Sequence, residues 1–171
     1  RRQDKVYRTI PELYRPGMTD LDLQIEIEGA LRRAGCLGQF RISGDSMELF
    51  MGNILVGDNA DNPTPYDFAM GGAGVDPSLP VGADGTVIRP GNSVMVDANG
   101  NFNGYMTDMT RTFALGDIAP EAVRAHECSV AICARLAVLG VPGVKASALY
   151  EEAVRMAAEA GFSDFFMGHR Q

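Results

Sequence analysis

The chain has 171 residues, 46% of them hydrophobic, with 22 acidic against 15 basic side chains and a formal net charge of -7. That length and apolar fraction suit one globular domain with its own core, and no shift in composition marks a second. The acidic balance, the lack of a dense Lys/Arg run and the lack of a long apolar stretch argue against nucleic acid and membrane as partners.

Along the chain, Arg1-Arg2-Gln3-Asp4 begins no signal-peptide pattern. The three cysteines, Cys36, Cys128 and Cys133, are odd in number and form no CxxC pair, which predicts a reduced, cytoplasmic chain with Cys128 and Cys133 as small core residues. Residues Gln3 to Tyr14 can begin a helix. A clearer one follows Pro16-Gly17, with Thr19 as N-cap and Asp22 three residues on completing an approximate capping box. Leu23, Ile27, Ala30, Leu31 and Ala34 fall at helical spacing, Gly35 suits the stop, and Arg32 and Arg33 favour the helix dipole without need of a ligand.

From Phe40 to Val56 the pattern is mixed, with Asn53 to Val56 the best buried strand. Gly57 to Pro90 is rich in Gly, Pro, Asp and Asn, and a loop this long is more often a functional wall or lid than a plain connector. Its glycines lack the GxxxxGK frame of a phosphate cradle.

Pro90-Gly91-Asn92 turns the chain into Ser93 to Phe113, which reads as a hairpin. Val94 and Val96 alternate with Ser93, Met95 and Asp97, while Asn99-Gly100 and Asn103-Gly104 compete to be the turn. The first turn would pair Asp97 with Phe102 and strand Asp108 six residues beyond that partner, roughly 20 Å at about 3.4 Å per residue. A turn at Asn103-Gly104 pairs Asn99 with Asp108 and Asp97 with Thr110. Both aspartates then share one face as diagonal neighbours, roughly 7 to 8 Å apart at the backbone. A turn at Phe102-Asn103 sets them directly opposite. Either later turn converges two like charges, which a divalent cation would neutralise. Spacing alone explains the pair equally well as two solvated acids on an edge hairpin.

Past the hairpin, Pro120 opens a helix through about Leu139, stopped by Gly140, with His126 as a structural or surface residue. Pro142-Gly143 precedes another helix, with Leu149, Ala153 and Ala157, that stops at Gly161. This phrase repeats the one from Pro16-Gly17 to Gly35 at a constant separation of 126 positions, from Gly17 to Gly143 and from Gly35 to Gly161, which predicts a degenerate internal duplication.

Asp97 with Asp108, followed by Thr110, Arg111, Thr112, Phe113 and Gly116, resembles the D...GY..D.TRTF..G signature of the M24 metallopeptidases. These are the pita-bread family of Xaa-Pro aminopeptidases, prolidases and methionine aminopeptidases. The resemblance implies an α+β fold of two similar halves, with helices packed on a mainly antiparallel curved sheet. It implies that residues 1–171 are a single catalytic domain cut short before its last metal-ligand motifs, with two glutamates, the general base among them, beyond Gln171. A further domain precedes the catalytic one in the Xaa-Pro members.

The implied activity is hydrolysis of the bond after a peptide's N-terminal residue, with proline next, by a metal-dependent aminopeptidase or dipeptidase; the fragment itself is expected to be inactive. The implied cofactors are two divalent metal ions, Asp97 chelating one and Asp108 bridging both, with Thr110 and Arg111 supporting the aspartates from behind. Oxygen-rich ligation favours Mn or Co, with Zn or Fe as alternatives. His169 is the candidate third ligand, since Gly168-His169 matches the start of the family's GHG motif, although Arg170 breaks it. The chain also has no histidine before His126, and Val81 follows Pro80 where relatives carry a Pro-His pair. A half-built twofold core predicts exposed apolar surface and a homodimer. Two other readings stay open: a binding module on the same fold, and a non-peptidase hydrolase of the creatinase type.

Overall fold

The structure is a computed structural model and describes residues 1–39, 51–66 and 71–166. The chain divides into two compact units, Arg1–Asp117 and Ile118–Gln171.

In the first unit, helix α1 (Arg2–Leu13) and helix α2 (Asp20–Arg33) precede three strands, β1 (Gly52–Val56), β2 (Ser93–Phe102) and β3 (Tyr105–Ala114). Helix α2 starts where local chemistry dictates. Thr19 Oγ1 accepts from the Asp22 N–H at 3.1 Å, and Asp22 Oδ2 accepts from the Thr19 N–H at 2.9 Å, so two otherwise orphaned donors are satisfied. The predicted apolar positions Leu23, Ile27 and Leu31 are all buried.

The strands form one antiparallel sheet in the order β1-β2-β3. Strand β1 is buried along its whole length, as its apolar run predicts. Strand β2 alternates instead. Val94, Val96, Ala98 and Phe102 join Ile54, Val56, Val6, Ile10, Leu23, Ile27 and Leu31 in one core between sheet and helices. The other face of β2 carries Met95, Asp97, Asn99 and Asn101, half-buried.

The hairpin turns at the later Asn-Gly pair. Phe102 pairs with Tyr105, and both central residues have positive φ, 57° at Asn103 and 84° at Gly104. That is the geometry of a two-residue turn whose twist matches its strands, and asparagine followed by glycine tolerates it best. The Gly104 N–H also donates to Asn101 Oδ1 at 3.1 Å.

The long glycine-rich connection folds back on itself. Gly82 N–H donates to the Gly71 carbonyl at 2.9 Å, and Gly74 N–H to the Gly82 carbonyl at 3.2 Å. Buried Asn59 clamps the two limbs, its Nδ2 donating to Gly82 O at 3.0 Å and its Oδ1 accepting from Ala73 N–H at 2.8 Å. Farther on, the buried Asp20 carboxylate accepts from the N–H groups of Leu21, Asp84 and Gly85 at 2.8, 3.2 and 2.9 Å, tying the segment to the start of α2.

In the second unit, helices α3 (Pro120–Leu139) and α4 (Ala146–Glu159) pack through Ile132 against Ala153 and Ala157. His126 is exposed. The expectation of two core cysteines is corrected here: Cys133 is exposed and Cys128 only half-buried, because α3 buries Ile132 alone. All three cysteines are unpaired thiols. Among the described residues no helix is long and apolar enough to cross a membrane.

Candidate metal centre

The register of the hairpin sets which side chains meet. Asp97 pairs with Thr110 and Asn99 with Asp108, so alternation directs all four to the face of the sheet opposite the helices. On the other flank Asp97 pairs with Asn53, giving a polar row of Asn53, Asp97 and Thr110 across all three strands. The next row carries Asn99 and Asp108.

Thr110 Oγ1 donates to Asp97 Oδ1 at 2.6 Å, fixing that carboxylate at the strand. Burial raises the Asp97 pKa above the usual carboxylate value, and the charge of Asp108 adds to the rise, while the Thr110 bond opposes both. The pair of acids lacks a positive partner, since neither carboxylate belongs to an ion pair among the described residues.

Strand β1 lies hard against this point. Gly52 has φ of 140°, and a Cβ there would come within 2.0 Å of the Asp97 carbonyl oxygen, so position 52 admits no side chain without moving the strand. Asn53 is buried beside it, and its Nδ2 reaches the Gly71 carbonyl at 3.5 Å. The glycine-rich loop thus stands as a wall along the edge of the carboxylate face.

The register pairs Arg111 with Val96, on the helix side of the sheet, and its guanidinium donates to the Thr110 carbonyl at 2.7 Å rather than to a carboxylate. His169 lies outside the described residues. Among the described residues no three or more of His, Cys, Asp and Glu cluster as a metal site.

Whether the residues present suit a divalent cation is tested by one further atom. Asn99 Oδ1 is buried and has no hydrogen-bond partner, although it belongs to the same face and rung as Asp108. An orphaned buried oxygen is costly. The available donors are therefore oxygens, two charged and one neutral, which fits part of the ligand set of a hard or borderline divalent ion. Asn99 and Asn53 were not singled out from the sequence. The available signal was their place in the strand pattern, two residues from Asp97 in one case and opposite it in the other.

Comparison with known proteins places the chain in a family. The chain is 29% identical over 170 residues to a probable dipeptidase PepE of Mycobacterium bovis, covering 98% of this chain and 38% of that relative. A crystal structure of dipeptidase PepE from Mycobacterium ulcerans is 26% identical with a TM-score of 0.66, covering 96% of this chain and 38% of that one. An X-Pro aminopeptidase from Thermotoga maritima superposes with a TM-score of 0.71 at 18% identity, over 95% of this chain and 39% of that one. The fold is the α+β pita-bread fold of these peptidases. The chain spans about two-fifths of the length of the relatives it matches, 38% in the curated case. The profile of metallopeptidase family M24 matches residues 1–170, and the chain belongs to that family.

Proposed function

We propose that the full-length protein is a metal-dependent exopeptidase that hydrolyses the peptide bond after an N-terminal residue, with proline next. The observation that carries the reading is the shared face of Asp97 and Asp108, set two rungs apart with no ion-pair partner for either carboxylate among the described residues. Relatives named as dipeptidase and X-Pro aminopeptidase support the reaction class.

In this reading Thr110 holds Asp97 Oδ1 and leaves Oδ2 free, and Asp97, Asp108 and the neutral Asn99 Oδ1 would hold the divalent ions. Divalent ions held there lower the pKa of water and polarise a scissile carbonyl, with manganese or cobalt preferred over zinc or iron for an oxygen-rich set. The wall built by Gly71 to Gly82 limits how a peptide enters beside Asn53. His169 is proposed as a further ligand from its Gly168-His169 motif. The setting is the reducing cytoplasm, supported by three free thiols. A homodimer is proposed from the exposed apolar positions Val130 and Val138, and light scattering across concentrations should show its mass.

The test is calorimetric titration of the full-length protein with Mn2+ and Co2+, alongside cleavage of Xaa-Pro peptides. Asp97→Asn and Asp108→Asn should each remove ion binding and cleavage together. A parent protein that binds no divalent ion would leave the binding-module reading, and hydrolysis unaffected by a chelator would leave the creatinase-type one.

A further inference from the structure

Beneath the carboxylate face, on the helix side of β2, the core contains a polar group that packing alone does not require. Tyr7 and Gln3 of α1 are 4% and 1% exposed, yet both spend their polar atoms on the backbone of Ala98, the residue between Asp97 and Asn99. The Ala98 N–H donates to the Tyr7 hydroxyl at 2.9 Å, and that hydroxyl in turn donates to the Met109 carbonyl. Gln3 Nε2 donates to the Ala98 carbonyl.

Ala98 and Met109 are cross-strand partners in the β2–β3 register. Alternate residues of a central strand turn their N–H and C=O groups to opposite neighbours. Asn99 N–H goes to Met51 O at 2.6 Å, beside β1, so the Ala98 N–H faces β3. Its natural acceptor is the Met109 carbonyl, and the Tyr7 oxygen stands between the two. The Tyr7 hydroxyl thus bonds to both partners of one rung of the sheet. The rungs on either side of it carry Asp97 with Thr110 and Asn99 with Asp108.

The surroundings make room for this hydroxyl. The residues of β2 above the two side chains are small, Ala98 and Gly100, and a Cβ on Gly100 would lie 3.3 Å from Gln3 Oε1 and 2.7 Å from the Phe102 ring. Burial pushes the Tyr7 phenol up to about 12, so it keeps its proton as a donor at neutral pH. Gln3 Oε1 remains buried without a partner, a cost tolerated in the same cluster.

We propose that Tyr7, braced by Gln3, is a positioning residue for the metal centre: its hydroxyl spreads the β2–β3 ladder between the two acid-bearing rungs and so sets the separation and direction of Asp97 and Asp108. The proposal rests on the carboxylate pair being an ion site. A uniform ladder would bring Ala98 and Met109 into direct contact and draw the neighbouring rungs together. An ion held by both acids is sensitive to that distance, because the carboxylates must be presented at fixed positions to ligate together.

The experiment compares the full-length protein with Tyr7→Phe, which keeps the ring and removes the spacer oxygen, and Gln3→Met, which keeps volume and frees the Ala98 carbonyl. In the metal-free proteins, amide NMR resonances of residues 97–99 and 108–110 should move in Tyr7→Phe, while those of Leu55 and Val56 at the far end of β1 stay. With Co2+, Tyr7→Phe should bind about 10-fold to 100-fold more weakly and show an altered visible spectrum, the range seen when supports behind metal ligands are removed. Gln3→Met should lose less, about threefold, on the same scale.

Ile27→Val, a core change away from the ladder, calibrates the effect of lost stability alone. Unchanged resonances at 97–99 and 108–110 in Tyr7→Phe, or Co2+ affinity and spectrum matching those of Ile27→Val, overturn the positioning role. If Tyr7→Phe does not fold, Gln3→Met decides by the same two measurements. A parent protein that binds no Co2+ refutes the ion site itself, and the metal-free spectra still decide whether Tyr7 sets the ladder.

Discussion

Helices α2 and α4 are laid out alike and packed differently. From Asp20 to Ala146 and from Arg33 to Glu159 the separation is the same, 126 positions, and so is that between the ends of α1 and α3, Leu13 and Leu139. The flanking glycines share their backbone state, with φ of 91° and 94° at Gly17 and Gly143, and 93° and 83° at Gly35 and Gly161. The internal repeat predicted from the chain is thus repeated in helix boundaries. What the two copies do not share is the face they bury. Leu23, Ile27 and Leu31 of α2 meet a sheet, whereas Ala153 and Ala157, the counterparts of Ile27 and Leu31, meet a helix, and small residues let two helices approach closely. Punctuation decides where each helix lies in the chain.

The comparison breaks most visibly at the first apolar position. Leu23→Ala should destabilise the first unit by about 2 to 5 kcal/mol, since the side chain is buried and its loss leaves a cavity. Leu149→Ala, at a half-buried site, should cost clearly less than half of that. Urea unfolding of both variants checks this, and equal losses would mean that the two helices are packed alike after all.

A smaller difference lies at the N-termini. Thr19 and Asp22 form a reciprocal cap, while the matching residues Lys145 and Ala148 provide no side-chain bond. Removing the cap with Thr19→Ala should cost about 1 kcal/mol, and building one with Lys145→Thr and Ala148→Asp should add up to about the same. Melting temperatures read both. A cap that adds nothing to α4 would show that its first turn is already held by other contacts.

The smallest effect is electrostatic. Glu152 and its counterpart Glu26 both pair with arginine, Glu26 with Arg15 at 3.6 Å and Glu152 with Arg155 at 2.9 Å and Arg135 at 2.8 Å. Hydrogen bonds from Arg155 and then Arg135 hold the Glu152 pKa down to about 2 from 4.5. Because the folded value is depressed, the pair stabilises the fold above the unfolded value, and that contribution is lost as pH falls from 4.5 through about 2. Acid unfolding followed by the helical circular-dichroism signal should be less steep over that interval in Glu152→Gln. Exposure to solvent keeps the effect small and sensitive to salt.

What could be read in the sequence was what is decided locally. The α2 cap and the Pro120 helix start each depend on residues within a few positions of one another, and the structure has both, while two Asn-Gly pairs left the turn open until the structure put it at Asn103-Gly104. The hairpin register followed from the turn, and the shared face of Asp97 and Asp108 followed from the register. Arg111 was read through a motif, and strand alternation, available in the same sequence, puts it on the other side. Cys133 shows the limit of composition: a small apolar residue in a helix says nothing about whether its face is covered. Tyr7 and Gln3 were invisible for a different reason. Their partners lie 91 and 95 positions away, and a tyrosine on the apolar stripe of a helix looks like ordinary packing until the strand beneath it is placed.

The Tyr7 hydroxyl has a consequence for how the centre can form. A rung completed by α1 cannot be completed by the hairpin alone, and a lone hairpin is marginal in water in any case. A peptide carrying residues 93–114 would contain both acids in the right sequence and lack the wedge that sets them apart. On the role proposed for Tyr7, the spacing of Asp97 and Asp108 is a property of the tertiary fold, reached only with α1 docked on β2.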